Sequence, residues 1–214
     1  IDLGDLALGI LCQGGRCLDE GLLRGLDERL RALHNGRGTQ LLVLHMLGNH
    51  GPSYYRRYPP AFERFTPVCR NDDLGQCTRE EIVNAYDNAL LYTDHVLATL
   101  IGTLTAQAGD VDSALLFVSD HGESLGEKNL FLHGVPYAIA PSEQTQVPMV
   151  MWWSQGFGGA TGASLDCLRQ RAQQPAQHDH LFHTVLGLLD VKTALYAGEL
   201  DLLSGCRANG APPA

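Results

Sequence analysis

Leu22, Leu23, Leu26, Leu30 and Leu33 recur at helical spacing within residues 18–33. His34-Asn-Gly-Arg-Gly follows and supplies helix-stop residues, so a helix is predicted up to that point, with His34 as a cap. Gln40 to Met46 (QLLVLHM) is a continuous apolar run between turn residues, the pattern of a strand covered on both faces. Residues 47–71 keep no period and hold four prolines and three tyrosines. Thr78-Arg-Glu-Glu81 then reads as a capping box, with Thr78 as N-cap and Glu81 reaching back. Behind it Ile82, Ala85, Tyr86, Ala89, Leu90, Val96, Leu97, Leu100, Ile101 and Leu104 form a long helical stripe. Ala114 to Val118 and Val147 to Trp152 read as two further buried strands, and Asp179 to Leu189 as a final amphipathic helix. Ala211 to Ala214 is expected to fray.

Strand, helix, strand is the order of a βαβ unit, and it predicts an α/β protein with a mostly parallel sheet. In such sheets functional groups gather beyond the C-terminal ends of the strands. His50 follows the first predicted strand and Asp120-His121 the second. No repeat or linker divides the 214 residues, so a single domain is expected. A hydrophobic content of 44% with 18% charged residues suits a globular core. A net charge of −9 argues against a nucleic-acid partner and against broad adhesion to anionic lipid. No apolar run approaches the roughly 20 residues of a spanning helix, so no transmembrane segment is expected here. There is no signal peptide, and the first residue is Ile1, so an upstream segment is expected.

The six cysteines fall into local groups. Cys12 and Cys17 flank QGGR, Cys69 and Cys77 flank RNDDLGQ, and Cys167 and Cys206 stand apart near the C-terminus. An even count with two short-spaced pairs points to disulfides and an oxidising compartment. A zinc ribbon competes, but neither close pair has C-x-x-C spacing.

The candidate chemistry lies in FVSDHGESLGEKNLFLHG, residues 117–134. Asp120 and His121 are zinc-competent side chains just past a strand, where Gly122 permits a turn that converges them. The competing reading is a strand-end turn with an Asp cap and a surface histidine. His133 (FLHGVPY) and His50 (GNHGPSYY) each stand beside glycines that leave room for a ligand, or are loop histidines satisfied by neighbours. Glu123 either binds a metal or faces water, and Glu127 and Lys128 read as solvated. His45 is read as a core or neighbour-bonded residue and His95 as a lone helix histidine. His178, His180 and His183 belong to a packing helix before any site, and Trp152-Trp153 to strand packing.

HMLGNHGPSYYRRYP, CTREEIVNAYDNALLYTDHVL, FVSDHGESLGE, FLHGVPYAIAP, QTQVPM and DHLFHTVLGLLDV together resemble the periplasmic catalytic domain of lipid A phosphoethanolamine transferases. That group includes the mobile colistin-resistance enzymes and lies in the alkaline phosphatase and sulfatase superfamily. The resemblance runs from about Cys12 to Cys206. It implies an alkaline phosphatase-like α/β/α sandwich, of which residues 1–214 form the C-terminal portion. It implies transfer of phosphoethanolamine from phosphatidylethanolamine to a lipid A phosphate by way of a zinc-activated threonine.

Carried onto this sequence, the family's zinc ligands match Asp120 and His121. Its histidines at the transferred phosphate, or at a second metal, match His50 and His133, and an acidic neighbour matches Glu123. The pairs Cys12–Cys17, Cys69–Cys77 and Cys167–Cys206 match periplasmic disulfides. The family's threonine and a further zinc-binding glutamate lie ahead of the matched region, as do its membrane helices. No nucleophile is therefore assigned here, and the isolated chain is expected to bind zinc weakly and to transfer nothing. A monomer at the periplasmic face of a Gram-negative inner membrane is implied. A related sulfatase or phosphodiesterase, or a non-catalytic metal-binding fragment, are the competing functions.

Overall fold

In a computed structural model, residues 12–13, 16–33 and 38–207 are described. His34 and residues 211–214 lie outside them. The chain divides into two compact units, the first of Ile1–Arg29, Leu44–Thr103 and Phe117–Val150, the second of Leu30–Val43, Leu104–Leu116 and Met151–Ala214.

The first unit is organised by the long helix, Arg79–Ala106, of which it holds all but the last three residues. Its start follows from the capping box: the Thr78 N–H donates to Glu81 Oε2 at 2.7 Å, and the Glu81 N–H to Thr78 Oγ1 at 3.3 Å. Two orphan donors of the first turn are thereby satisfied. By length and composition this helix could cross a membrane, a test that core helices also pass. Its stripe is used for packing. Ile82 and Ala85 join Tyr54, Cys69 and Leu74 in one buried cluster, while Ala89, Tyr92 and Val96 join Tyr58 in another. The Cys69–Cys77 disulfide closes the loop ahead of the helix, and Cys12–Cys17 closes a small antiparallel ladder. A second ladder pairs Ser124 with Leu132 and Leu125 with Phe131.

The second unit packs Phe157, Ala163, Leu168, Leu203 and Cys206 together, tied by the Cys167–Cys206 disulfide. Leu165–Arg171 starts at Ser164, whose hydroxyl accepts the Cys167 N–H. Buried Asp201 accepts the Tyr196 hydroxyl at 2.7 Å and the Leu203 N–H at 2.8 Å. Asp179–Leu188 is helical as expected, and its His183 Nδ1 accepts the Ala197 N–H. Trp153 stacks on Phe157, which bears out strand packing for that residue.

Ala114–Val118 pairs with Met149–Trp153. The Ser119 N–H donates to the Pro148 carbonyl, and the Ser154 N–H to the Ser113 carbonyl, so one index falls as the other rises and the pair is antiparallel. The α/β class holds, but two local expectations do not. Residues 40–46 form no strand, and Leu41, Leu42 and Val43 are 56%, 40% and 75% exposed. Among the described residues no strand pairs with it, and an apolar run is buried only where neighbours cover it. His45 is accordingly exposed and not a core residue. The predicted helix over residues 18–33 is broken at Gly25, whose φ is +69°, into a 3-10 turn at Asp19–Leu23 and a helix at Leu26–Leu33.

Candidate functional site

The site belongs to the first unit and is carried by three loops. The first presents His50. Its backbone is clamped by Asp19, whose two carboxylate oxygens accept the Leu47 and Gly48 N–H groups at 2.9 and 2.7 Å. Asn49 donates to the Tyr86 carbonyl and accepts the Thr93 hydroxyl, so the long helix holds the loop from behind. Arg57 Nε donates to the His50 carbonyl at 2.7 Å. Burial, and then the neighbouring Arg16 cation, lower the Arg57 guanidinium from its usual value.

The second loop carries Asp120 and His121. The strand Ala114–Val118 delivers it, and the Ser119 hydroxyl donates to the His121 carbonyl at 2.7 Å to turn the chain. The Gly122 N–H donates to the Gln144 carbonyl at 3.0 Å, and a Cβ on Gly122 would collide with the Glu143 carbonyl oxygen. Glycine is required here for close backbone approach rather than for an unusual φ.

The third loop returns through the Ser124–Leu132 ladder to His133. Lys128, Asn129 and Leu132 have φ of 53°, 61° and 63°. Left-handed backbone at a non-glycine residue costs roughly 1–3 kcal/mol and persists only where surrounding structure imposes it. Leu132 is packed against the first unit's core and immediately precedes His133. Glu127 is not simply solvated: it accepts the Leu125 N–H and pairs with Arg79 at 2.8 Å.

These loops bring His50, His121 and His133 together, with one ring nitrogen of each within 4.8 Å of the others. The His121 and His133 rings stack at 3.7 Å between centroids, and His50 meets them edge-on at 5.7 and 5.0 Å. Each ring has its Nδ1 engaged by a group that can only accept. His50 Nδ1 meets the Gly51 carbonyl at 2.7 Å, His121 Nδ1 the Gly122 carbonyl at 3.1 Å, and His133 Nδ1 the Glu123 carboxylate at 3.2 Å. In the neutral imidazole the proton therefore sits on Nδ1 and the Nε2 lone pair is left for a ligand. Asp120 is 85% exposed and holds Oδ1 3.8 Å from His121 Nε2.

Three imidazoles and a carboxylate are a donor set that zinc accepts. Of the sequence candidates, His50, His121 and His133 form the cluster, Asp120 borders it, and Glu123 stands behind it. The supporting residues Asp19, Asn49, Tyr54, Thr93 and Gln144 were not singled out by the sequence. Asn49 and Tyr54 had a signal, lying in the GNHGPSYY stretch around His50, and Thr93 and Gln144 fall in the stretches CTREEIVNAYDNALLYTDHVL and QTQVPM. Among the described residues no other metal-competent cluster occurs. His180 instead accepts the Gln177 N–H, and His95 packs its ring against Phe62.

The phosphoethanolamine transferase EptA of Escherichia coli K12 is 44% identical over 197 residues, which is 92% of this chain and 36% of the relative. The phosphatidylethanolamine transferase Mcr-1 of Escherichia coli is 43% identical over 82% of this chain and 30% of the relative. The chain thus spans about a third of the length of the curated relatives it matches. The crystal structure of the soluble domain of lipooligosaccharide phosphoethanolamine transferase A from Neisseria meningitidis superposes with a TM-score of 0.88 at 45% identity. That superposition covers 97% of this chain and 61% of that domain. With the Sulfatase profile matching residues 5–191, through both the His50 loop and the Asp120–His133 loops, the chain belongs to the sulfatase family.

Proposed function

We propose that these 214 residues are the C-terminal portion of the catalytic domain of a phosphoethanolamine transferase, which moves phosphoethanolamine from phosphatidylethanolamine to a lipid A phosphate. The observation that carries this reading is the convergence of His50, His121 and His133, each with Nδ1 engaged, in a chain 44% identical to EptA. The family name alone would also suit a sulfatase; the similar proteins named as transferases favour group transfer to a lipid.

Asp120 and His121 would hold zinc, and His50 and His133 would meet the transferred phosphate or a second ion. Bound zinc supplies neutralisation of phosphoryl oxygens and a lowered pKa for a coordinated hydroxyl. Phosphoryl transfer rests mainly on positioning and charge stabilisation, which suits a site held rigidly from behind. When protonated at Nε2, His50 and His133 donate to phosphate oxygens or give a proton to the leaving oxygen. The carrier threonine is assigned to none of these residues. The three disulfides support an oxidising compartment, here the periplasm at the inner membrane, with membrane attachment through other parts of the protein.

The test is a chimera in which this chain replaces the matching 197 residues of Escherichia coli EptA. It is expressed in a strain without its own transferases, and lipid A is analysed by mass spectrometry. Phosphoethanolamine on lipid A and survival in polymyxin are expected. A folded, membrane-inserted, zinc-loaded chimera that leaves lipid A unmodified would refute the transferase, and sulfate-ester hydrolysis would replace it with the sulfatase reading.

A further inference from the structure

Glu123 is the one member of the sequence constellation whose surroundings do not suit a ligand. Its side chain is 4% exposed. Oε1 accepts the Gly51 N–H at 3.1 Å and faces His133 Nδ1 at 3.2 Å, and Oε2 accepts the Tyr54 hydroxyl at 3.1 Å. Both oxygens are therefore engaged by groups of the chain itself. Turning either toward a metal or a phosphate would strip a buried donor of its partner, which is costly in a low-dielectric setting. Tyr54 stays a donor, because burial, and then the Glu123 charge, push its hydroxyl well above the usual value.

We infer that Glu123 is a positioning residue that fixes the tautomer of His133 and seats the His50 loop, and that it does not bind the metal or the substrate. The inference rests on the reading of His50, His121 and His133 as the reactive cluster. Its basis is a difference between the three rings. His50 and His121 anchor Nδ1 on the carbonyl of the next residue, a backbone group that every residue type supplies. His133 anchors Nδ1 on a side chain ten residues away. A carboxylate behind a ligand histidine fixes ring orientation and raises the basicity of the other nitrogen.

The same oxygen holds Gly51, the residue after His50, so one carboxylate registers two loops that lie far apart in sequence. Room for this is made by glycine. A Cβ on Gly51 would lie 2.5 Å from Leu132 Cδ2 and 2.7 Å from the Tyr54 hydroxyl oxygen. Glu123, Gly51, Tyr54 and Leu132 form one closed contact set beneath the histidines.

The experiment reads the imidazole nitrogens of this chain directly, by long-range proton–nitrogen NMR of the wild type, Glu123→Gln and Glu123→Ala, without metal and then with zinc added. In the metal-free wild type His133 is expected as the Nδ1–H tautomer. Glu123→Ala is expected to convert it to a mixture in which the Nε2–H form is at least as populated, while His50 and His121 stay Nδ1–H. Glu123→Gln, which keeps an acceptor oxygen between Gly51 and His133, is expected to restore the wild-type tautomer. A wild-type His133 with its proton on Nε2 overturns the inference even if both variants fail to fold. So does an unchanged tautomer in Glu123→Ala, or a Glu123→Gln spectrum as altered as that of the alanine variant. Zinc added to the wild type tests the underlying reading separately. If the Nε2 signals of the three histidines do not move, the cluster reading fails, whatever the tautomer of His133.

Discussion

Gly122→Ala places one methyl group against the backbone of Glu143 and Gln144. Gly122 does not lie in the left-handed region, so alanine meets no φ penalty there. Its Cβ would instead overlap the Glu143 carbonyl oxygen and sit 3.0 Å from the carbonyl carbon and 3.4 Å from Gln144 Cα. Forced overpacking costs about 1–3 kcal/mol. Relief requires moving the two segments apart, which breaks the Gly122 N–H to Gln144 carbonyl hydrogen bond, worth about 0.5–1.5 kcal/mol. The buried Gln144 side chain, bonded to Ser124 Oγ at 2.9 Å, is disturbed with it. Together the loss is about 2–4 kcal/mol.

Urea unfolding followed by circular dichroism measures this loss. Gly102→Ala is the matched control, because a Cβ there meets nothing within 4 Å in the interior of the long helix. It should stabilise by about 0.5–1 kcal/mol. The two alanines must therefore move stability in opposite directions. A Gly122→Ala variant within about 0.5 kcal/mol of wild type, the range of an ordinary surface substitution, would show that the Glu143 backbone yields. The steric account of the second loop would then be wrong.

Alanine at Asp120 or His121, the residues that would hold zinc, should each weaken zinc binding by about tenfold or more, by analogy with the loss seen on perturbing metal-site partners; isothermal titration at neutral pH measures it, and two unaltered affinities would remove the site. The Cys167–Cys206 bridge closes 39 residues and Cys69–Cys77 closes 8. On chain entropy, removing the first by paired serine substitution should cost about 4 kcal/mol and the second about 2.5 kcal/mol. The fluorescence of Trp152 and Trp153 follows the loss in the second unit, and equal losses by circular dichroism would contradict the ordering. The Thr78 backbone N–H, and then its hydroxyl, lower the Glu81 carboxyl from its ordinary 4.5. A folded pKa below the unfolded one gives stability that is present above pH 4.5 and lost as pH falls through the folded value. Glu81→Gln should therefore flatten the acid limb of a stability–pH curve and leave its alkaline limb alone; an unchanged acid limb would deny the capping box its electrostatic share.

How much of this was legible follows from how far apart the interacting groups lie. The capping box was readable because Thr78 and Glu81 are one helical turn apart and both partners appear in a short window. The long helix was readable because its stripe repeats over many turns. The strand Gln40–Met46 was misread because its pattern reports only that the side chains are apolar. Whether Leu41, Leu42 and Val43 are covered depends on what lies beside them. The helix over residues 18–33 was misread because leucine spacing outweighed Gly25, a single residue whose positive φ resets the direction of the chain.

The histidine site divides along the same line. For His50 and His121 the tautomer is set by the next residue's carbonyl, a contact inside the motif, but His133 also precedes a glycine and does not use its carbonyl, so His-Gly by itself does not reveal the orientation. For His133 the orientation depends on Glu123, and the seating of the His50 loop depends on Glu123 from 72 residues away and on Asp19 from 28 and 29. Nothing in a window around His50 points to either acid. A carboxylate within a histidine-rich motif reads most simply as another ligand. Only the occupancy of both its oxygens separates a group that holds the ligands from one that is itself a ligand. Carboxylates in such motifs therefore have to be sorted by counting the donors already spent on each oxygen, before any role at the metal is assigned.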